Sequence, residues 1–177
     1  AHGLRGIRGP VGSAGPPPVL SEGAAPIPFL LAPRHVAWHS GGALELLRRR
    51  ADFADAVDWE FTREGPLWLY HLPQFDHLRA PELPPDRRLS LMLDWVRRCP
   101  KGTGWDPQPT SLRIVNWGKG RLTPRAVAPT RDEASEICAS LAQQADTLAR
   151  NLEVRLQANH LLSNLIVLVF AGLIFAY

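Results

Sequence analysis

The last seventeen residues, Leu161 to Tyr177, read LLSNLIVLVFAGLIFAY and are apolar on all sides, interrupted only by Ser163, Asn164 and Gly172. A helix of this kind has to be covered all round, in the core of a large assembly or in a bilayer. Seventeen residues stand at the lower edge of a spanning length, roughly 17 to 25. Asn164 and Gly172 lie inside the run and no cluster of Lys or Arg follows it, which makes a membrane anchor the weaker reading. Immediately before the run stand Asn159 and His160. Asn is a preferred helix N-cap, and the same helix end carries a partial positive charge that suits an anion. The pair therefore reads either as a simple cap or as a place for a carboxylate.

A chain of 177 residues can bury one sizeable core. Its seventeen prolines and fourteen glycines gather at the start and in connections, leaving the remainder free to be helical. Cys99 and Cys138 are the only cysteines and lack metal-ligand spacing, so neither a disulfide nor a thiolate metal site is expected. The formal net charge is only +3, but between Arg97 and Arg125 seven basic residues face the single acid Asp106. Such a local excess favours an anionic partner, although a solvated basic face is the plainer alternative.

Residues 1–34 are rich in Gly, Pro and Ala with no apolar period, and read as a flexible leader. Ala43 to Phe53 is expected to form a short helix with Leu44, Leu47 and Ala51 on one side. In Leu67 to Leu78 the large residues recur at helical spacing, with a kink or break at Pro73. Asp86 is placed to cap a helix of about fourteen residues through Leu89, Met92, Val96 and Cys99, ending before Pro100. Lys101 to Pro109 reads as a loop, after which Thr110 can cap a helix that Gly118 and Gly120 end. Thr130 and Glu133 have capping-box spacing, and Ile137, Leu141, Leu148, Leu152 and Leu156 continue one apolar stripe for over five turns. No alternating strand pattern stands out, so the expected class is all-α. His35 and His39 are four apart in a loop-like context, and no metal site is expected there.

Four blocks in order, LWLYHLPQFD at Leu67 to Asp76, GWDP at Gly104 to Pro107, PTSLRIVNW at Pro109 to Trp117 and NHLLSN with LVFAG near the end, closely resemble the N-terminal region of heparinase II/III-like proteins. The resemblance spans about Asp52 to Tyr177. It implies a partial (α/α) toroid of antiparallel helix hairpins over residues 35–177, followed in the family by a β-sandwich, so that this chain would be the N-terminal fragment of a larger protein. It also implies a polysaccharide lyase acting by β-elimination on a uronic-acid-containing glycan, with acidic polysaccharide and not nucleic acid as the partner. No cofactor or metal is implied, and a periplasmic or secreted location is favoured over a cytoplasmic one.

By the same resemblance Asn159 and His160 match the residues that bind the uronate carboxylate, while the base and acid, a Tyr and a His, are expected beyond residue 177. The substrate cleft is expected to draw on Tyr70, His71, Trp105, Arg113, Asn116 and Trp117. Gln108 stands where many relatives carry Tyr. The competing reading is a non-catalytic protein of the same fold that binds acidic glycan or serves polysaccharide assembly.

Overall fold

The computed structural model describes residues 33–53, 56–99, 101–121, 128–153 and 159–175; most of the expected leader lies outside them. The described part opens with three short strands, β1 (Val36–Trp38), β2 (Ala43–Leu46) and β3 (Arg49–Asp52), paired antiparallel in the order β1-β2-β3. This sheet overturns the all-α toroid expected from the sequence. Ala43 to Phe53 is not a helix: Leu44 faces Ala51 across the β2–β3 pair, and Leu46 faces Arg49.

The two strands are joined by Leu47 and Arg48, whose φ angles of 54° and 63° put both in the left-handed region. A two-residue connection of that type matches the right-handed twist of a hairpin, and its usual signature is Asn-Gly or Asp-Gly. Here a Leu and an Arg adopt it at a conformational cost of about 1 kcal/mol each or more. Tertiary contacts offset the strain. Leu44 and Leu46 are almost fully buried, and the Trp68 indole donates to the Arg49 carbonyl at 3.1 Å.

Five helices follow: α1 (Pro66–His71), α2 (Pro85–Arg98), α3 (Pro107–Arg121), α4 (Arg131–Arg150) and α5 (Asn159–Phe175). Pro73 does break the first of these, and the chain continues in 3-10 turns over Leu72–Gln74 and Asp76–Arg79, separated by Phe75 at φ 62°. The fourteen-residue α2 is present, but Pro84 occupies the N-cap and Asp86 lies in the first turn, where a carboxylate suits the helix dipole. Thr110 lies inside α3, which starts at Pro107 and runs past Gly118 and Gly120. At α4 the Thr130 hydroxyl accepts from the Glu133 amide, and the Glu133 carboxylate accepts from the Thr130 amide at 2.8 Å. This helix stops at Arg150, short of Leu152 and of Leu156, which lies outside the described residues.

The core is built on aromatic rings. Trp59 stacks on Phe75 at 5.0 Å, Phe75 meets Trp117 edge-on at 5.3 Å, and Trp95 meets Trp117 at 5.8 Å and Trp105 at 5.4 Å. Through this cluster runs the fully buried side chain of Arg113. Its guanidinium lies 3.8 Å from the centre of the Trp95 ring and donates to the carbonyls of Pro73 at 3.0 Å and Gly104 at 2.7 Å, and to the Gln144 amide oxygen at 2.9 Å. Burial pushes its pKa down to about 9, which still leaves the group charged at neutral pH. Cys99 and Cys138 are buried and not joined in a disulfide.

The apolar run of α5 is not covered all round. Val167 and Ala171 are buried, while Leu162, Ile166 and Val169 are each more than half exposed. Among the described residues no helix is long and apolar enough to cross a membrane.

Replacing Arg113 removes the donors from two carbonyls and opens a cavity between Trp95 and α4. Arg113→Ala is expected to destabilise the fold by about 3 to 5 kcal/mol. Arg113→Lys, whose ammonium can replace Nη1 at the two carbonyls but not the Nε donor to Gln144, should fall in between. Urea denaturation followed by tryptophan fluorescence measures both.

Candidate functional site

Of the eight residues singled out from the sequence, four are core residues. Trp105 is buried with its indole nitrogen donating to the Cys99 carbonyl at 2.9 Å. Trp117 and Arg113 have no exposure at all. Asn116 is buried and donates to the Gln74 carbonyl at 2.8 Å and to Asp76 Oδ1 at 3.0 Å. None of these four presents a face or a donor to a glycan. They tie α3 to the 3-10 turns and the α2 side of the core.

The other four stay accessible. Asn159 is exposed and stands as the first residue of α5, inside the helix and not at its cap. His160 follows it and is partly exposed, with Nδ1 at 3.2 Å from Glu153 Oε2. Tyr70 and His71 close α1 and are half-buried.

Tyr70 and His160 share an acidic neighbourhood formed by Asp106 and Glu153. Burial, then the charges of Asp106 and Glu153, push the Tyr70 phenol up to about 12, so it stays neutral and can donate. Burial and then the Glu153 charge raise the Asp106 carboxyl to about 6. Among the described residues one Asp106 oxygen is buried without a hydrogen-bond partner, which disfavours the charged form of the group. A carboxyl titrating in this range can give or take a proton near neutral pH. Glu153 also reaches α5 a second time, accepting from Asn164 Nδ2 at 3.5 Å. Asn164 in turn is anchored by the Ser111 hydroxyl, which donates to its Oδ1 at 2.7 Å. The start of α5 is thereby fastened to α3.

On the other side of α1, His71 faces Asp76 and His35. Burial lowers its pKa, the Asp76 charge opposes that, and His35 adds to the lowering. His35 Nε2 lies 3.1 Å from Asp76 Oδ2, and the two imidazole rings approach edge-on at 6.2 Å. Burial pushes the Asp76 carboxyl up, but the hydrogen bonds and charge of Arg79, with His35 and Asn116, outweigh it and hold the group ionised.

The basic run is mostly committed elsewhere. Arg97 forms a two-pronged pair with Glu136 at 2.9 and 2.8 Å, Arg98 pairs with Asp94 at 2.9 Å, and Arg113 is in the core. Arg125 lies outside the described residues. A surface depression of about 530 Å³ runs along α2, lined by Arg87, Asp94, Arg97, Arg98 and Glu133 among others. Its three acids, Asp86, Asp94 and Glu133, match its three arginines in number, so it presents no single sign of charge to a ligand.

Asp76, Asp106 and Glu153 were not singled out from the sequence. Asp76 and Asp106 lie within LWLYHLPQFD and GWDP, so a signal was at hand; Glu153 sits past the end of α4 and carried none.

Because the Asp106 proton is held more firmly in the fold than in the unfolded chain, ionisation costs stability. Stability should fall as pH rises from about 4 to about 6. Asp106→Asn should flatten that slope in denaturation experiments, and carboxyl-carbon NMR should find the Asp106 midpoint lowered by Glu153→Gln.

Compared with protein-family models, with curated proteins and with solved structures, the chain matches none.

Proposed function

We propose that this chain is the N-terminal part of a polysaccharide lyase, similar to heparinase II/III-like enzymes, that cleaves a uronic-acid-containing acidic polysaccharide by β-elimination. The observation that carries the reading is the grouping of accessible polar groups at the start of α5. Asn159 and His160 stand on its first turn, Glu153 lies against His160, and Tyr70 lies close to Glu153. The buried candidates Trp105, Arg113, Asn116 and Trp117 serve this site by fixing the elements that carry it.

The chemistry explains why an amide and an imidazole belong there. The proton on C5 of a uronate is α to a carboxylate, and removing it puts further negative charge on an anionic group. The electron pair left on C5 forms the C4–C5 double bond as the C4–O bond breaks, and the departing oxygen takes a proton. The Asn159 amide can donate to the carboxylate in a region of positive helix potential. In His160, Glu153 engages Nδ1, and Nε2 makes no hydrogen bond to the described residues. As imidazolium both nitrogens donate, so Glu153 and the substrate carboxylate can be held on opposite edges of one ring. Tyr70 as a neutral phenol is a donor to sugar hydroxyls. The residues that take the C5 proton and protonate the leaving oxygen are expected from the resemblance to be a Tyr and a His further along the chain.

A donor aimed at developing charge contributes a factor of roughly 10² to 10³ in rate. In the full-length enzyme, Asn159→Ala should lower the formation of unsaturated uronic-acid ends by about that factor, followed by ultraviolet absorbance, with circular dichroism unchanged. Full activity in the variant removes Asn159 from the mechanism. Acidic glycan that binds to the unaltered enzyme without forming unsaturated ends favours the non-catalytic reading.

A further inference from the structure

We propose that His35, His71 and Asp76 form a binding site for one divalent transition-metal cation of the zinc class. The nitrogen of each imidazole and one carboxylate oxygen all lie within 4.8 Å of one another. One pair, His35 Nε2 and Asp76 Oδ2 at 3.1 Å, is already close to the ligand spacing of roughly 3.3 Å that tetrahedral zinc imposes with bonds near 2.05 Å. The remaining closure is on the order of 1.5 Å for the widest separation. It falls on His35, whose side chain is 43% exposed, and on half-buried His71, both able to turn about their side-chain torsions.

The carboxylate is prepared for one bond. Arg79 and Asn116 both donate to Asp76 Oδ1, which fixes the plane of the group and leaves Oδ2 turned toward His35. Partners of this kind orient a metal ligand. The Arg79 charge works against a cation, which sets the affinity below that of a carboxylate without such a neighbour. Two imidazoles with one carboxylate suit zinc, cobalt or nickel. Calcium and magnesium require more oxygen ligands than the three residues hold. Three protein ligands leave a fourth position, and the exposure of His35 opens it to solvent.

The three ligands come from separate pieces of the fold. His35 immediately precedes β1, His71 ends α1, and Asp76 begins a 3-10 turn. A bound cation would join the sheet to the helical body at a point where only the His35 to Asp76 hydrogen bond now links those side chains. This site does not rest on the lyase reading; the two share His71, which the resemblance places in the substrate cleft, but none of the ligands belongs to the Asn159 and His160 pair.

The test uses the full chain, freed of metal with a chelator and titrated with Zn²⁺ alone by calorimetry. One equivalent is expected to bind, with His35→Gln and His71→Gln each weakening it at least roughly 10-fold. His39→Gln, which removes an imidazole paired with Glu45 in the β1–β2 region, should leave binding unchanged. Co²⁺ should give the visible absorption of a four-coordinate ion, lost in Asp76→Asn. Absence of saturable Zn²⁺ binding, or an affinity unchanged in His35→Gln, overturns the proposal. Because His35 is exposed, that variant retains the fold and keeps the outcome interpretable.

Discussion

A positive charge with no exposure holds the helical part of this molecule together. Arg113 sends its guanidinium from α3 across the Trp95 ring to carbonyls at two places where the chain has left helical geometry, Pro73 and Gly104. Those breaks create the need: carbonyls outside a regular helix and away from water require donors from elsewhere. A planar fork with five N–H groups can supply several at once. The space is tight as well. A side chain at Gly104 would begin 3.1 Å from Pro73 Cβ, so the absence of a side chain there lets the two turns approach until one Arg spans both. Gln144 completes the fork and brings α4 into the same arrangement, with its own amide nitrogen donating to Ser140.

Asn116, one turn along α3, extends the same logic outward. By donating to both the Gln74 carbonyl and Asp76, it links the buried turns to a carboxylate whose other oxygen faces His35. Ser111 does the corresponding work toward α5 through Asn164, and so steadies the helix that carries Asn159 and His160. The two accessible clusters are thus supported by polar residues of one helix, α3. That division of labour explains why residues in the most recognisable block, PTSLRIVNW, are hidden while the groups able to meet a ligand lie beside it.

Local signals were legible where local physics decides. The capping box at Thr130 and Glu133 forms as its spacing implies, and the three-to-four periodicity from Leu89 matches α2. The hairpin was illegible because its turn is Leu47-Arg48, residues with no preference for positive φ, and because Leu44, Leu47 and Ala51 imitate a helical stripe. Gly118 and Gly120 look like helix stops, yet α3 passes through them because its preceding turns are locked by Arg113, Asn116 and Trp117. For the site, residue type alone could not separate a polar group that serves the core from one that serves a ligand. Arg113 and Asn116 differ from His160 in what surrounds them, and part of those surroundings comes from residues 31 to 42 positions away.

The aromatic cluster has a consequence for how the molecule can be observed. Trp95, Trp105 and Trp117 lie with ring centres 5.4 to 5.8 Å apart along the chain of contacts, close enough for excitation absorbed by one indole to pass to its neighbours. Their emission therefore belongs to the junction of α2, α3 and the Thr103–Trp105 turn as a unit, and no single substitution among them isolates the signal of another. A cation over the Trp95 face adds a local field to that unit, so the optical signature of the folded state is written by the same charge that organises it.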